Sequence, residues 1–187
     1  MSFASPLYRR IGRALARLGL RPAIPRDLEA GRDLAVRLIG PQITSLQRLR
    51  AVQRRSGIGA FVIGEPDTLE GIFVFLLLNP AGRAALCGDD FDGLSPDLAL
   101  LAAPSEAPSA YYGWGFAATT PRARAAVVAG ADVLRRRVLC DIPFFCRAVT
   151  PAGHRVVTSK LGYRDLPGSN TGLLWAPALT EDSRRAA

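Results

Sequence analysis

The sequence predicts a single α+β domain, a mixed α/β arrangement in which a central mixed β-sheet is flanked by helices. The chain has 187 residues, 49% of them hydrophobic, which is enough for one buried core. Apolar residues recur at helical spacing up to residue 57, and short runs rich in β-branched and aromatic residues follow from residue 58. A strand, helix, strand unit near the middle implies parallel neighbours with a right-handed crossover, and hairpins at the ends make the sheet mixed.

Residues 1–22 are predicted to form a basic amphipathic helix, ahead of a single domain over 23–179 and a polar, frayed tail over 180–187. The apolar residues of this helix recur at helical spacing: Leu7, Ile11, Ala14, Leu15 and Leu18. Much of its remaining surface is arginine: Arg9, Arg10, Arg13 and Arg17. The apolar stripe is expected either to dock on the domain or to bind a membrane surface or a protein partner.

Two more helices are predicted before the first long strand. "RDLEAGRDLAVRLI" follows Pro22 and Pro25, which interrupt the chain after the first helix. "SLQRLRAVQRRSG" begins at Ser45, whose side chain can cap the helix, and stops at Gly57.

A β-hairpin is predicted from "IGAFVIGE" and "EGIFVFLLLN", with the turn residues "EPDT" between them. The apolar run Ile72–Leu78 is far shorter than the roughly 20 residues that span a bilayer, so a buried strand is expected and no transmembrane helix. The N-terminus has no continuous apolar stretch followed by a cleavage site, which disfavours a secretory signal peptide. We therefore expect a cytoplasmic location, peripheral at a membrane if the first helix binds one.

Residues 80–110 are predicted to form a long, partly irregular connection with one short helical segment. Its acidic cluster, Asp89, Asp90 and Asp92, invites interpretation as a metal site. The spacing supplies neither the glycine nor the distal glutamate of a calcium-binding loop. A solvated turn is expected instead, and no metal site is predicted.

The strand, helix, strand unit carries the clearest local signals. "AYYGWGFAATT" is a strand whose two internal glycines predict a bulge or a close backbone approach. Thr119 or Thr120 can cap the helix that follows, and Pro121 suits its first turn. "IPFFCRAV" is then a strand, "TPAGHRVVTSKLG" a helix capped by Thr150, and "YRDLPG" and "TGLLWAPA" the last two strands.

Three stretches resemble the GNAT superfamily of acyl-CoA-dependent N-acyltransferases: "GAFVIGEPDTLEGIFVFLLL", "WGFAATTPRARAA" and "SKLGYRDLPG". The last is similar to the family's helix that ends in a Lys-x-Gly-aromatic turn, with Lys160, Gly162 and Tyr163 in register. The resemblance covers about residues 58–176. It implies a GNAT-like fold with a splayed parallel pair of strands, and acetyl-CoA or another acyl-CoA as co-substrate. It also implies transfer of the acyl group, most simply acetyl, to an amine of a small molecule or a protein.

The resemblance also implies where the acyl-CoA binds. In the family, the central strand pairs with the pantetheine arm, and the next helix points its N-terminal amides at the pyrophosphate, a good anion site. The implied cofactor-binding residues are Phe116, Ala118, Thr119, Arg122, Ala123, Arg124 and Ala125. The pattern departs from the family at Ala125 and Val127, which stand at its small-residue positions. The structural alternative is that "TTPRARAA" is only a well-capped helix start.

The sequence does not identify the catalytic residues. Where many members have a tyrosine that can protonate the leaving thiolate, this chain has Thr158, whose hydroxyl is a far weaker acid. The candidate proton donors are therefore Tyr112, Thr158 and Ser159. Alternatively, a water protonates the thiolate, or the thiolate leaves without direct protonation. "YYGWGFAATT" has no Asp or Glu to act as a general base, and His154 is expected to be a surface or packing residue.

Three cysteines, Cys87, Cys140 and Cys146, give an odd number without close pairing. This argues against a disulfide framework and against a cysteine-rich zinc site. We expect reduced thiols, with Cys146 buried on a strand and inert rather than nucleophilic.

The sequence leaves open whether the protein is an enzyme. The second hypothesis is a catalytically degenerate GNAT-like binding protein that is recruited to a membrane surface or a protein partner through its first helix. The net charge of +8 comes almost wholly from arginine and favours anionic partners, although an arginine-rich coding bias gives the same excess. Nucleic acid is not expected as a partner, because the charge is diffuse and no helix-turn-helix or aromatic platform is recognisable.

Overall fold

The computed structural model describes residues 5–179, so residues 1–4 and the predicted tail 180–187 lie outside the described residues. Its α-helices are α1 (Pro6–Ala16), α2 (Pro25–Ile39), α3 (Leu46–Ser56), α4 (Pro80–Cys87), α5 (Pro121–Val133) and α6 (Pro151–Ser159). Its strands are β1 (Arg21–Pro22), β2 (Ala60–Ile63), β3 (Gly71–Leu78), β4 (Ala110–Ala118), β5 (Phe144–Arg147), β6 (Arg164–Asp165) and β7 (Leu173–Ala176). A π-helical segment, Leu134–Val138, continues α5.

The strands form one mixed sheet in the order β1-β2-β3-β4-β5-β7-β6. β4 and β5 are parallel, and every other pair of neighbouring strands in this order is antiparallel. Helices lie on both faces of the sheet. The predicted mixed α/β fold of GNAT-like architecture is thus confirmed.

The first helix is shorter than the predicted 1–22. It ends at Ala16, because the chain turns at Gly19, whose φ is +77°, and then enters the sheet as β1. Arg21 and Pro22 pair with β2 there, at an edge of the sheet where proline is tolerated. A two-residue strand that contains proline has no periodic signal, so the sequence indicated only a break.

β3 is buried along its whole length, as its apolar run predicts. Phe73 and Phe75 enter the core shared with α1, α5 and α6, whereas Ile72 and Val74 face the core shared with α2 and α3. Side chains alternate between the faces of a strand, so a strand covered on both faces must be apolar throughout. β3 therefore lies at the centre of the molecule.

Three helix starts agree with the capping residues that the sequence indicates. The side chains of Ser45, Thr120 and Thr150 each accept a hydrogen bond from the backbone N–H three residues later, at 3.1, 3.1 and 3.0 Å. Of the two threonines proposed for α5, the cap is Thr120. Gly57 ends α3 in the left-handed conformation, with φ +68°.

The apolar face of α1 is docked on the domain. Tyr8, Ile11 and Leu15 are buried in the core that includes α5 and the π-helical segment. Arg10 reinforces this contact by donating from Nη2 to the carbonyl of Arg137 at 3.3 Å. No helix among residues 5–179 is long and apolar enough to cross a membrane.

Candidate functional site

The parallel strands β4 and β5 separate partway along their length. Their last paired residues are Gly113 and Cys146, although β4 continues to Ala118. Beyond this point β5 pairs with β7 through Arg147 and Leu173. The edge of β4 that faces β5 is therefore left without a strand partner beyond Gly113, which is the splayed pair that the resemblance to the GNAT superfamily implies.

β4 has the predicted bulge at the same place. Val74 of β3 is opposite Gly115 and Phe75 is opposite Gly113, so Trp114 is the extra residue. A Cβ atom on Gly113 would lie 3.1 Å from Cζ of Phe116, whereas a Cβ atom on Gly115 would have no atom within 4 Å. Gly115 thus presents bare backbone to open space.

A cleft of about 580 Å³ opens around this bulge. Its apolar lining comes from α2, α3, β3 and β4, with Ala35, Ile39, Leu49, Val74 and Trp114 among its residues. Its polar lining includes Asp89, Tyr112, Arg147 and Thr171. Thr150 and Gly153 at the start of α6 also line it, so the cleft extends from the α2 side of the sheet to α6. Such a shape can hold an extended ligand with two different ends.

Arg147 is fixed in the polar part of the cleft by two hydrogen bonds. Nη1 donates to the carbonyl of Phe91 at 3.3 Å, and Nη2 donates to the hydroxyl of Thr171 at 3.1 Å. The Thr171 hydroxyl in turn donates to Oδ1 of Asp89 at 2.8 Å. Nε of Arg147 is buried, and no described residue accepts a hydrogen bond from it.

Asp89 holds two loops together through hydrogen bonds. Its carboxylate accepts hydrogen bonds from the Asn170 N–H at 2.9 Å and from the hydroxyls of Ser169 and Thr171, both at 2.8 Å. These bonds, that of Asn170 foremost, hold the pKa of Asp89 below its ordinary value. No group of acidic, histidine or cysteine side chains in the described part of the chain is arranged to bind a metal ion.

Tyr112 is the one predicted catalytic candidate that lines the cleft. Its hydroxyl and Nη1 of Arg147 both approach Gly93, since a Cβ on that glycine would lie 3.2 and 3.3 Å from them. Burial raises the pKa of Tyr112 above its ordinary value, and the neighbouring Arg147 offsets part of that effect. Tyr112 therefore stays protonated at neutral pH and can only donate a proton.

The other two candidates lie outside the cleft. The hydroxyl of Thr158 donates to the carbonyl of His154 at 2.8 Å, and that of Ser159 donates to the carbonyl of Arg155. Both bonds lie within α6, a common conformation for Ser and Thr in helices. His154 itself is exposed on α6 and does not line the cleft.

Cys146 lines the cleft but is buried, and burial raises its pKa to about 12. A nucleophilic cysteine needs a lowered pKa, because the thiolate is the reactive form. The expectation of an inert thiol therefore agrees with its surroundings.

The predicted cofactor-binding residues divide between two places. Phe116 lines the cleft, and Ala123 is fully buried in the core. The remaining residues surround the start of α5: Ala118, Thr119, Arg122, Arg124 and Ala125. Arg124 turns back to donate from Nε to the carbonyl of Ala118 at 3.1 Å. Val127, where the pattern departs from the family, has its side chain buried in the core.

A carboxylate that sequence reasoning missed lies at the start of α5. Thr120 donates its hydroxyl to Oε2 of Glu70 at 2.8 Å, and Thr119 donates its N–H to the carbonyl of Glu70, also at 2.8 Å. The register that pairs Gly71 with Ala118 brings these residues together, although Glu70 is distant in sequence. Glu70 thus places negative charge at the helix start where the resemblance implies a pyrophosphate.

The arrangement fits the two parts of an acyl-CoA unequally. The space between β4 and β5 beyond Gly113, here called the gap, can accept a narrow pantetheine arm close to the backbone of Gly115. Phe116 lines the cleft at the same place. At the start of α5, Arg122 and Arg124 are exposed and offer positive charge, but Glu70 opposes it. An acyl-CoA would therefore find a better-formed site for its thioester arm than for its phosphates.

No protein-family model matches the chain, and no curated protein matches it in sequence. Among solved structures, the chain is similar to a Corynebacterium glutamicum protein called histone acetyltransferase HPA2 and related acetyltransferase. The two share 14% sequence identity with a TM-score of 0.49, over 86% of this chain and 96% of the other. The description of the fold as GNAT-like rests on the chain's own strand order and on the separation of β4 from β5.

Proposed function

We propose that the protein is an acyl-CoA-dependent N-acyltransferase. The observation that carries the proposal is the separation of β4 from β5 beyond Gly113, beside a glycine that faces open space. A strand edge without a partner offers backbone hydrogen bonds to an extended arm, and the missing side chain at Gly115 gives that arm room. The cleft then extends towards α2, where an acceptor can approach the thioester from the other side of the sheet.

The acyl-CoA supplies a thioester carbonyl as the electrophile. In the transfer, the acyl carbon gains a bond to the amine nitrogen and loses its bond to sulfur, while the amine releases one proton to solvent and the thiolate gains one. Tyr112 is the proton donor that we assign to the thiolate, because this residue lines the cleft and its hydroxyl remains protonated. Most of the rate enhancement would come from holding the two reactants together.

The first test is calorimetric titration of the whole protein with acetyl-CoA, longer acyl-CoAs and free CoA. We expect saturable binding of at least one acyl-CoA, and release of free thiol when an amine acceptor is added. Absence of binding by every acyl-CoA at high micromolar concentration would contradict the proposal.

The second candidate function is a GNAT-like binding protein recruited to an anionic membrane or an acidic partner. It is favoured by the exposed arginines on the outer side of α1 and the π-helical segment: Arg13, Arg17 and Arg137. Because Ile11 and Leu15 belong to the core, removal of the helix would unfold the domain, so charge variants are the better test. We expect Arg13→Gln with Arg17→Gln to reduce sedimentation with phosphatidylserine vesicles more than Arg37→Gln with Arg54→Gln. Equal sedimentation of both variants would contradict it.

A further inference from the structure

The polar part of the cleft holds a fixed cation directly beside the gap between the strands. Arg147 follows Cys146, the last residue of β5 that pairs with β4. We propose, on the basis of the proposed function, that Arg147 anchors an anionic group of the acceptor. The acceptor class is an apolar α-amino acid, whose carboxylate binds Arg147 while its neighbouring amine reaches the thioester.

Arg147 is available for such a ligand because no described carboxylate forms an ion pair with it. Asp89 is nearby, but its oxygens already accept hydrogen bonds from Ser169, Asn170 and Thr171. A guanidinium group has five N–H donors, and the hydrogen bonds to Phe91 and Thr171 use two of them. The group is thus held in place, and Nη1 and Nη2 each keep one N–H that these two bonds do not use.

The charged residues that line the cleft are Arg32, Asp89, Asp92 and Arg147. Asp92 is exposed, and its Oδ1 accepts hydrogen bonds from the N–H groups of Leu94 and Ser95 at 2.8 and 3.1 Å. Arg32 on α2 adds a second cation to the lining, with Nε donating to the carbonyl of Thr44 at 3.0 Å. Neither Asp89 nor Asp92 forms an ion pair with Arg147, and arginine is well suited to bind a carboxylate through two donors.

The rest of the ligand follows from the remaining walls. N-acyl transfer requires an amine at the gap, and Arg147 lies one residue past the last pair of the parallel strands, so anion and amine must be close together in the ligand. The side of the cleft formed by α2, α3 and β3 is apolar, through Ala35, Leu49 and Val74. A carboxylate, an adjacent amine and an apolar side chain are the three parts of an apolar α-amino acid.

The experiment compares three probes that differ in one group: L-phenylalanine, L-phenylalaninamide and 2-phenylethylamine. By calorimetry, we expect the wild-type protein to bind phenylalanine at least about tenfold more tightly than the other two, which is typical of a hydrogen-bonded charge pair. In Arg147→Met this preference is expected to disappear. Arg147→Lys, which keeps the charge without the two-donor geometry, is expected to retain part of it, and Arg37→Met on α2 serves as the surface control.

Three results would overturn the inference: equal binding of acid and amide by the wild type, a preference that persists in Arg147→Met, or no saturable binding of any probe up to 10 mM. Thermal unfolding of each variant shows whether the cleft is still folded, and Arg147→Lys keeps the test informative if Arg147→Met unfolds. Acyl-CoA titration without any acceptor separates the two proposals. Acyl-CoA binding combined with equal affinity for acid and amide leaves the transferase proposal intact and removes only the anchor.

Discussion

Gly113 of β4 and Cys146 of β5 form the last residue pair of the two parallel strands, and the chain has its bulge at the very next residue, Trp114. A bulge increases the local twist and bends the strand, which turns the end of β4 away from β5. The gap is therefore built into the sheet and does not depend on a ligand to open it.

Gly115 is the position at which a side chain should remove acyl-CoA binding without harming the fold. A Cβ there meets no atom within 4 Å, so Gly115→Leu should fold and unfold at a similar or higher temperature, since glycine is a poor strand residue. Its side chain would occupy the gap and lower acetyl-CoA affinity by at least about tenfold. Gly115→Ala is the matched control, with a smaller loss. Unchanged affinity in Gly115→Leu would place the acyl-CoA elsewhere.

Glu70 should weaken the binding of the CoA phosphates. Its carboxylate is bound by Thr120 at the start of α5, where negative charge competes with a phosphate. Glu70→Gln is therefore expected to raise the affinity for CoA by about twofold to fivefold. Pantetheine, which has no phosphate, should bind the variant and the wild type equally. A gain shared by pantetheine would point to a change in the gap rather than in the phosphate site.

Tyr112→Phe tests the assigned proton donor. Loss of a general acid is expected to lower kcat by about a hundredfold and to leave the KM for acyl-CoA nearly unchanged. Thr158→Val, which changes a hydroxyl bound within α6, should leave kcat unaffected.

The pH profile gives an independent check on Tyr112. A proton donor is lost as pH rises through its pKa, and burial raises the pKa of Tyr112 above its ordinary value of 10.0. Below about pH 10, the wild-type protein and Tyr112→Phe should therefore show the same dependence of kcat on pH. A tyrosine-dependent decline near pH 8 would contradict the assignment.

The pair formed by Arg21 and Asp27 should make stability depend on pH. Asp27 is fully buried, and its two oxygens accept hydrogen bonds from Arg21 at 2.6 and 3.0 Å. Burial alone raises the pKa of Asp27, but the bonds from Arg21 and from the Ile24 N–H, together with the Arg21 charge, lower it below its ordinary value. The stability that the pair of Arg21 and Asp27 contributes is therefore fully present above about pH 4, and it is lost as the pH falls through the folded-state pKa of Asp27.

Asp27→Asn measures the same pair at neutral pH. In urea unfolding, the free energy of unfolding should fall by about 3 kcal/mol, because Arg21 would keep its charge without its partner. The exposed pair of Arg26 and Asp67 is the matched control, and Asp67→Asn should cost less than about 1 kcal/mol. Equal losses in the two variants would show that burial does not strengthen the pair between Arg21 and Asp27.

Local sequence signals predicted most of the fold, for reasons that can be traced to single residues. Ser45, Thr120 and Thr150 cap helices because a side-chain oxygen binds an amide three residues later, a contact that needs no distant partner. The glycines around Trp114 predicted the bulge, since a strand tolerates glycine where it departs from regular pairing.

The candidate site was less accessible to sequence reasoning. Tyr112 and Phe116 were identified and line the cleft, but Thr158 and Ser159 bond within their own helix. The sequence places Arg147 in a strand and indicates no further role for it. Its role depends on Thr171, which comes from a loop on another part of the chain.

The sequence by itself determined the order of the longer helices and strands, the capped helix starts and the bulge, because each of these depends on interactions between residues a few positions apart. It did not determine β1. Only the tertiary structure decided which side chains meet at the cleft. Glu70 reaches Thr120 through the register of β3 and β4, and Asp89 reaches Arg147 through the hydroxyl of Thr171. Such contacts join segments far apart along the chain, so they exist only once the sheet has set the register and the loops have closed over it.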